Sequence, residues 1–292
     1  MRVVVTGATG MIGRALGSEL TARGHEMVPL RRGGSSDGAP TWSVEDGRVD
    51  DGALDGIDAV VHLAGRPIMP PFTPGRRRAI LESRTKGTAL IAEAVARSDV
   101  SVFVSASAIG FYGSRGEEDL TEGASKGSGF LSDVVEAWEK SAAPAIEAGV
   151  RTVFSRTALV IGRGALLRLM SLPFRLFVGG PIGSGRQWWS WIALEDAARA
   201  IVHCLEHHEL SGPVNVAAPS PVRQREFARA LGDALHRPSW LPVPGFALRL
   251  VLGPRAAEDL VLTSQRVLPT ELERTGFEFR HPSLASALEQ VY

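Results

Sequence analysis

The sequence predicts an α/β protein built on a doubly wound parallel sheet, followed by a smaller mixed α/β region. Two observations carry this expectation. β-Branched apolar runs alternate with helical periods through the first half of the chain, and a glycine-rich turn joins the first run to the first helical period. Val3, Val4 and Val5 read as a strand buried on both faces. Thr6 and Gly7 end it, and Ile12, Ala15, Leu16 and Leu20 then recur at helical spacing. Gly7, Gly10 and Gly13, with Thr9, Met11 and Ile12 between them, therefore occupy a strand-to-helix turn. Bare N–H groups at the positive end of a helix suit a phosphate there. A glycine-rich turn that holds no ligand is the plainer alternative, and the strand before and helix after favour a nucleotide.

The remaining elements extend the alternation. Glu26–Leu30 reads as a second strand, followed by Arg31, Arg32, two glycines, Ser35 and Ser36. In a dinucleotide fold an acidic residue at this position holds a ribose 2′-hydroxyl, whereas arginine accommodates a 2′-phosphate. The arginines with no acid beside them favour NADP(H); solvated arginines are the alternative. A short strand is expected near Thr41–Val44. Asp58 to Gly65 reads as a strand whose small ending, Leu63-Ala64-Gly65, lets a cofactor approach the backbone. His62, flanked by Val61 and Leu63, reads as a core residue rather than a base. A helix is expected over about 76–97, a strand over 100–105 ending at Ser105, a helix over about 131–148 and a sixth strand over 150–155.

Composition narrows the class. With 292 residues, 44% hydrophobic and 22% charged, the chain can bury a large core. Its formal net charge of zero gives no electrostatic reason to expect nucleic acid or an anionic membrane as partner. Only Lys86, Lys126 and Lys140 among its basic residues are lysines, which reads as compositional bias toward arginine. The single cysteine, Cys204, fits a reducing, cytoplasmic setting. The N-terminus enters a strand directly, without a signal-peptide pattern, and the apolar stretch 166–178 is interrupted by Arg168, Pro173 and Arg175.

Together, Thr-Gly-x-x-Gly-x-x-Gly at the N-terminus, His62-Leu-Ala-Gly65 and Ser105-x-Ser107 followed by Phe111-Tyr112-Gly113 resemble the extended short-chain dehydrogenase/reductases, which include the nucleoside-diphosphate-sugar epimerases. Ser83-Arg84, Ala137-Trp138-Glu139, the segment Gly179 to Gln187, Trp191-Ile192 and Gly276-Phe277 resemble the "epimerase family" branch of that superfamily. The resemblance covers essentially the whole chain. It implies an NADP-binding Rossmann domain and a small C-terminal domain of unassigned role.

One departure is decisive for chemistry. Most enzymes of the superfamily carry Tyr-x-x-x-Lys on the helix after the fifth strand, where the lysine helps the phenol exchange a proton. This chain has two tyrosines, Tyr112 and Tyr292; Gly116 stands four residues after the first, and the second ends the chain. The dyad is absent. By resemblance, Ser107 matches the superfamily's catalytic serine or threonine, with a strand-end hydroxyl bonded to backbone as the alternative. Tyr112, five residues on, is expected to supply a proton, or to pack beneath its loop. Arg84 is expected to reach the cofactor's phosphates or ribose, with a surface arginine as the alternative, and Glu139 reads as a surface glutamate that could carry a proton only if buried with a raised pKa. Arg156 to Val160 resemble the segment that closes over the nicotinamide.

In the second half, 166–177 reads as a helix broken by Pro173. Arg186-Gln-Trp188-Trp189-Ser-Trp191 offers aromatic faces and a cation for a substrate, or an interdomain seam. Asp196 reads as a helix cap. His203 and His207 stand at i, i+4, but no further ligands complete a metal site. The expected organisation is a Rossmann domain over 1–163, to whose sheet 190–218 returns, and a substrate-side region over 164–189 and 219–292. The C-terminal part either covers the site or forms a partner surface, and a homodimer is left open. Two functions fit: an NADP(H)-dependent oxidoreductase or epimerase-like enzyme acting on an unidentified small molecule, or an NADP(H)-binding protein without catalysis.

Overall fold

The computed structural model describes residues 1–34, 38–68 and 70–292. Val3, Val4 and Val5 are fully buried in β1 (Arg2–Thr6), and the glycine-rich turn leads into α1 (Met11–Ala22). Then come β2 (Glu26–Arg32), β3 (Thr41–Ser43), β4 (Arg48–Val49), β5 (Ala59–His62), α2 (Pro74–Ala96) and β6 (Val102–Ala108). A 3-10 turn (Ile109–Tyr112) and β7 (Asp119–Leu120) precede α3 (Phe130–Lys140), α4 (Ala143–Glu147), β8 (Arg151–Thr157) and β9 (Leu159–Ile161). The second half holds α5 (Ala165–Arg175), β10 (Trp188–Trp189), β11 (Trp191–Ala193), α6 (Leu194–Glu206), β12 (Gly212–Val216), β13 (Val222–Arg223) and α7 (Gln224–Ala234). It ends with α8 (Gly245–Leu252), α9 (Pro254–Ala257), a π turn (Glu258–Leu262), β14 (Arg266–Val267), α10 (Thr270–Arg274) and α11 (Leu284–Glu289).

The central sheet runs β12-β8-β6-β5-β1-β2-β3-β4. Its pairs are parallel except β3–β4, so the expected parallel sheet carries an antiparallel hairpin at one edge. Strand order reverses direction beside β1, the place where α/β sheets open a crevice at the strands' C-terminal ends. One face of the sheet packs Leu16, Leu20, Ile201 and Leu205 from α1 and α6, together with Leu272 and Phe277 from the C-terminal region. The other packs Ile91 and Val95 of α2 and Ala145 of α4 against Val4, Val60 and Phe103. A third cluster joins Trp189 and Trp191 to Phe227, Leu231, Leu284 and Leu288. Two of the three tryptophans thus form the seam between the sheet and the C-terminal elements.

Three local expectations are corrected. The helix expected over 131–148 is two helices, with the break at Ser141–Ala142 just before Pro144, which suits a helix start. Pro173 lies within α5 instead of breaking it. The hydrogen bond it forgoes would run to the carbonyl of Leu169, on the solvent side, and the helix ends two residues later. Asp196 is not the cap of α6, whose N-cap is Ala193. It is fully buried and accepts from the backbone N–H groups of Arg280 (2.9 Å) and His281 (2.8 Å), pinning the C-terminal segment to the sheet side.

Candidate functional site

At the C-terminal ends of β1 and β5 the backbone comes unusually close to itself. Gly7 has φ +71°, and a Cβ there would stand 3.0 Å from the backbone of both Leu63 and Ala64. A Cβ on Gly13 would lie 2.3 Å from the Gly7 carbonyl oxygen, so only glycine lets α1 start this near the strand. Leu63 and Ala64 continue the pairing, their N–H groups reaching the Thr6 carbonyl (3.2 Å) and Thr6 Oγ1 (3.3 Å). The N-cap of α1 is Gly10, which has no side chain to accept from the first-turn N–H groups; at α2, by contrast, Thr73 accepts from Arg76 N (3.3 Å). The first turn of α1 holds no acidic residue. An uncapped helix start beside small residues is the donor set a diphosphate needs, so the turn fits a dinucleotide.

Neighbouring segments complete this half. The loop after β9 folds over the turn, where Met11 Sδ lies 2.7 Å from where a Cβ of Gly164 would stand. Val160 sits half-buried on β9, paired with Ile192. The Thr9 carbonyl accepts from the Arg14 guanidinium. Arg31 and Arg32 end β2, and the Arg32 guanidinium lies 5.2 Å over the ring of Trp42. Ser35 and Ser36 lie outside the described residues. Arg84, in contrast, does not point outward. It is buried, donates to the carbonyls of Ile80 (3.3 Å) and Arg66 (3.1 Å) and lies 5.0 Å over Trp138. Burial lowers its pKa to about 10. It braces the loop that begins at Gly65. Beneath, His62 is fully buried, bonded to Thr6 Oγ1 (2.8 Å), and desolvation with the nearby Arg32 charge lowers its pKa to about 3.

A second cluster stands at the end of β6. Ser105 is buried and bonded to backbone (3.3 Å). Ser107 Oγ donates to Glu139 Oε1 at 2.6 Å. Arg156 grips both oxygens of that carboxylate, Nε to Oε1 and Nη2 to Oε2, each at 2.8 Å. The two side chains are only 5% and 12% exposed, so this is a buried bidentate ion pair. Burial opposes the charge on Arg156, and the Glu139 carboxylate outweighs it, leaving the guanidinium pKa raised. Arg156 lies 3.5 Å over the Phe111 ring and donates from Nη1 to Tyr112 Oη (3.1 Å). Tyr112 is fully buried and donates in turn to Asn215 Oδ1 (2.7 Å). Asn215 Nδ2 donates to the carbonyls of Leu120 (3.2 Å) and Leu268 (2.9 Å), tying the chain of bonds to the C-terminal region.

Two expectations change here. Glu139 is no surface residue, although its spacing from Ser132 and Val135 on α3 already puts it on the buried face. Tyr112 does not offer its hydroxyl to an open cleft: burial raises its pKa, partly opposed by Arg156, and both bonding directions of the oxygen are taken up inside the fold. Sequence reasoning missed Asn215 altogether, since nothing local to β12 marks it. On α3, Leu131 and Val135 face Gly110 at 3.6 and 3.7 Å from where its Cβ would stand. An i, i+4 pair on that face is apolar. Across from it, Asp259, Thr263 and Gln265 close a cavity of about 120 Å³ with Gly110, Leu131 and Ser132. Burial raises the Asp259 pKa.

The tryptophan segment sits elsewhere. Trp188 donates its indole N–H to Glu117 (2.9 Å), and the guanidinium groups of Arg223 and Arg266 lie 3.9 and 4.8 Å from its ring centre. Two of the protein's own cations thus lie against its ring. Arg186 is exposed, and its carbonyl accepts from Arg223. Among the described residues, no group of three or more His, Cys, Asp or Glu is arranged to hold a metal ion. His203 and His207 stack on each other, with ring centroids 3.5 Å apart.

A model of the NAD-dependent epimerase/dehydratase family matches residues 3–217, which span both clusters. The chain belongs to this family. Residues 243–291 match a domain of unknown function, DUF1731. The chain is 38% identical over 290 residues to the epimerase family protein ML0860 of Mycobacterium leprae, covering 98% of this chain and 94% of that one. Among solved structures, the human epimerase family protein SDR39U1, crystallised with NADPH, superposes with a TM-score of 0.89 at 33% identity, covering 100% of this chain and 99% of the human one. A nucleoside-diphosphate sugar epimerase from Corynebacterium glutamicum gives 0.82 at 36% identity, covering 99% of this chain and 57% of that one. The resemblance first read from short motifs thus holds along the whole chain, and the Rossmann architecture with it.

Proposed function

We propose that the chain is an NADP(H)-dependent oxidoreductase or epimerase-like enzyme acting on a small molecule that bears a hydroxyl on a carbon able to give up hydride. The observation that carries this reading is the Ser107–Glu139–Arg156 arrangement. With its hydrogen directed at Glu139, Ser107 Oγ keeps its lone pairs for an incoming donor, so it accepts from a substrate hydroxyl. A proton leaving that hydroxyl passes to Ser107 Oγ, whose own proton passes to Glu139 Oε1. Arg156 fixes the carboxylate in place, and Tyr112 with Asn215 fixes Arg156, so these three are positioning residues. A nicotinamide, when bound, supplies the hydride exchange. Gly7, Gly10 and Gly13 with Thr9, Met11 and Ile12 would hold the diphosphate, and Leu63, Ala64 and Gly65 would lie along it. Arg31 and Arg32 would meet the 2′-phosphate, and Val160 would close the nicotinamide end. The NADPH in the human SDR39U1 crystal supports the phosphorylated cofactor.

The apolar pair Leu131 and Val135 on α3 favours a second reading, an NADP(H)-binding protein that does no chemistry. A screen of purified protein with NADP+ against small alcohols and nucleotide sugars, and with NADPH against carbonyls, separates the two. Hydride transfer followed by the near-ultraviolet absorbance of the reduced nicotinamide is expected, and Ser107→Ala should abolish it while cofactor binding persists. Unchanged turnover in that variant removes the serine's role. Tight cofactor binding with no turnover on any compound supports the second reading.

A further inference from the structure

The chemistry at Ser107 makes no use of the outer faces of α5 and α8. On α5, Leu167, Ser171 and Phe174 are buried, whereas Leu166, Leu169, Leu172 and the following Leu176 form a second apolar stripe that is 50% exposed or more. α8, Gly-Phe-Ala-Leu-Arg-Leu-Val-Leu, buries none of its residues; Phe246 and Leu250 are 71% and 85% exposed. Backbone bonds join the segments next to these helices: Leu241 N to the Gly179 carbonyl (3.2 Å) and Val243 N to the Pro181 carbonyl (2.8 Å). Exposed Phe177 and Trp240 therefore stand in adjoining strips of chain, with the Arg237 guanidinium 4.9 Å over the Phe177 ring.

The charge of this face identifies its occupant. Although the whole chain is neutral, the two stretches that build the face, residues 148–194 and 234–257, contain no aspartate or glutamate. Arg163, Arg168 and Arg175 are exposed, and no carboxylate pairs with them among the described residues. The Glu258 carboxylate beside α8 is already paired with Arg249 (2.7 Å), so a second copy packed across a two-fold axis would set the unpaired Arg163, Arg168 and Arg175 against their own images. A bilayer with anionic headgroups matches this face in both respects. Apolar stripes enter the headgroup–acyl boundary, flanking arginines meet lipid phosphates, and tryptophan and phenylalanine sit at the interface. We propose that the α5/α8 face docks the protein on an anionic membrane surface. No helix among the described residues is long and apolar enough to cross a membrane, so the contact is peripheral.

Flotation of the full-length protein with phosphatidylcholine vesicles, with and without phosphatidylglycerol, tests this. The protein should float with the anionic vesicles only and be released by high salt. Each of Arg168→Gln and Arg175→Gln should weaken partitioning about fivefold. Leu169→Glu with Leu250→Glu should abolish flotation without changing the circular dichroism or the melting midpoint, because both leucines already face solvent. Failure of the folded wild-type protein to float with anionic vesicles, or flotation of all variants alike, overturns the proposal. So does a dimer in sedimentation that the double leucine variant converts to monomer while vesicles bind neither form, which would assign the face to a second copy.

Discussion

Where α1 leaves β1, the chain keeps backbone donors uncapped and holds glycine where a Cβ would strike backbone; at the end of β6, a run of buried polar side chains is closed on itself. The first cluster leaves backbone donors free for the dinucleotide we propose. The second, Glu139 to Arg156 to Tyr112 to Asn215, is bonded within the fold without one, and Ser107 Oγ at its end donates into it and keeps its own lone pairs. Binding and positioning are thus separated between two strand ends. Damage to the second should register first as lost stability, and damage to the first as lost affinity.

The largest test of that contrast is Glu139→Ala. Removing the carboxylate leaves the Arg156 guanidinium, 5% exposed, without a counter-charge, which costs about 3–5 kcal/mol in buried pairs of this kind. Urea denaturation should show that loss, and Glu139→Leu combined with Arg156→Met should recover much of it, since an apolar pair does not strand a charge. A loss under about 1 kcal/mol would mean the pair is solvated in solution and the contrast is false.

His62 gives a smaller effect, from beneath the turn. Its folded pKa is about 3 against an ordinary 6.5, so between those values the unfolded chain binds the proton and the folded one does not. Stability is therefore intact above about pH 6.5 and falls as pH drops, by about 2 kcal/mol between pH 7 and pH 5 from this residue. His203, lowered to about 4 chiefly by burial, adds to the slope in the same sense. Melting curves across that range should flatten in His62→Asn, and an unaltered slope in the variant would show that the buried imidazole is not what titrates.

The contrast also explains what could be read without coordinates. Gly7, Gly10 and Gly13 perform their task within seven residues of one another, through backbone geometry, so a linear pattern suffices to find them. Ser107, Glu139, Arg156 and Asn215 meet from four separate strands and helices, and no spacing along the chain encodes the meeting. Glu139 left a partial trace in its helical register with Ser132 and Val135. Trp188 misled for the opposite reason: three tryptophans in four positions look like a ligand platform. The arginines that cover Trp188 come from β13 and β14, far along the sequence.

The mildest expected effect is at the ends of β2. Arg31 and Arg32 stand where a 2′-phosphate would lie, and a charge-assisted contact to a phosphate contributes on the order of 1.5–3 kcal/mol. Much of that is screened at a solvent-facing strand end, so Arg31→Gln with Arg32→Gln should weaken NADPH binding about tenfold and leave NADH binding nearly unchanged. Because Arg32 also lies over Trp42, the melting midpoint of the double variant is needed beside the titration. A tenfold loss for NADPH at constant stability assigns the arginines to the ligand and keeps this strand end on the binding side of the contrast. Equal losses for both nucleotides, or wild-type protein that binds NADH as tightly as NADPH, would return the arginines to the fold and withdraw the phosphorylated cofactor.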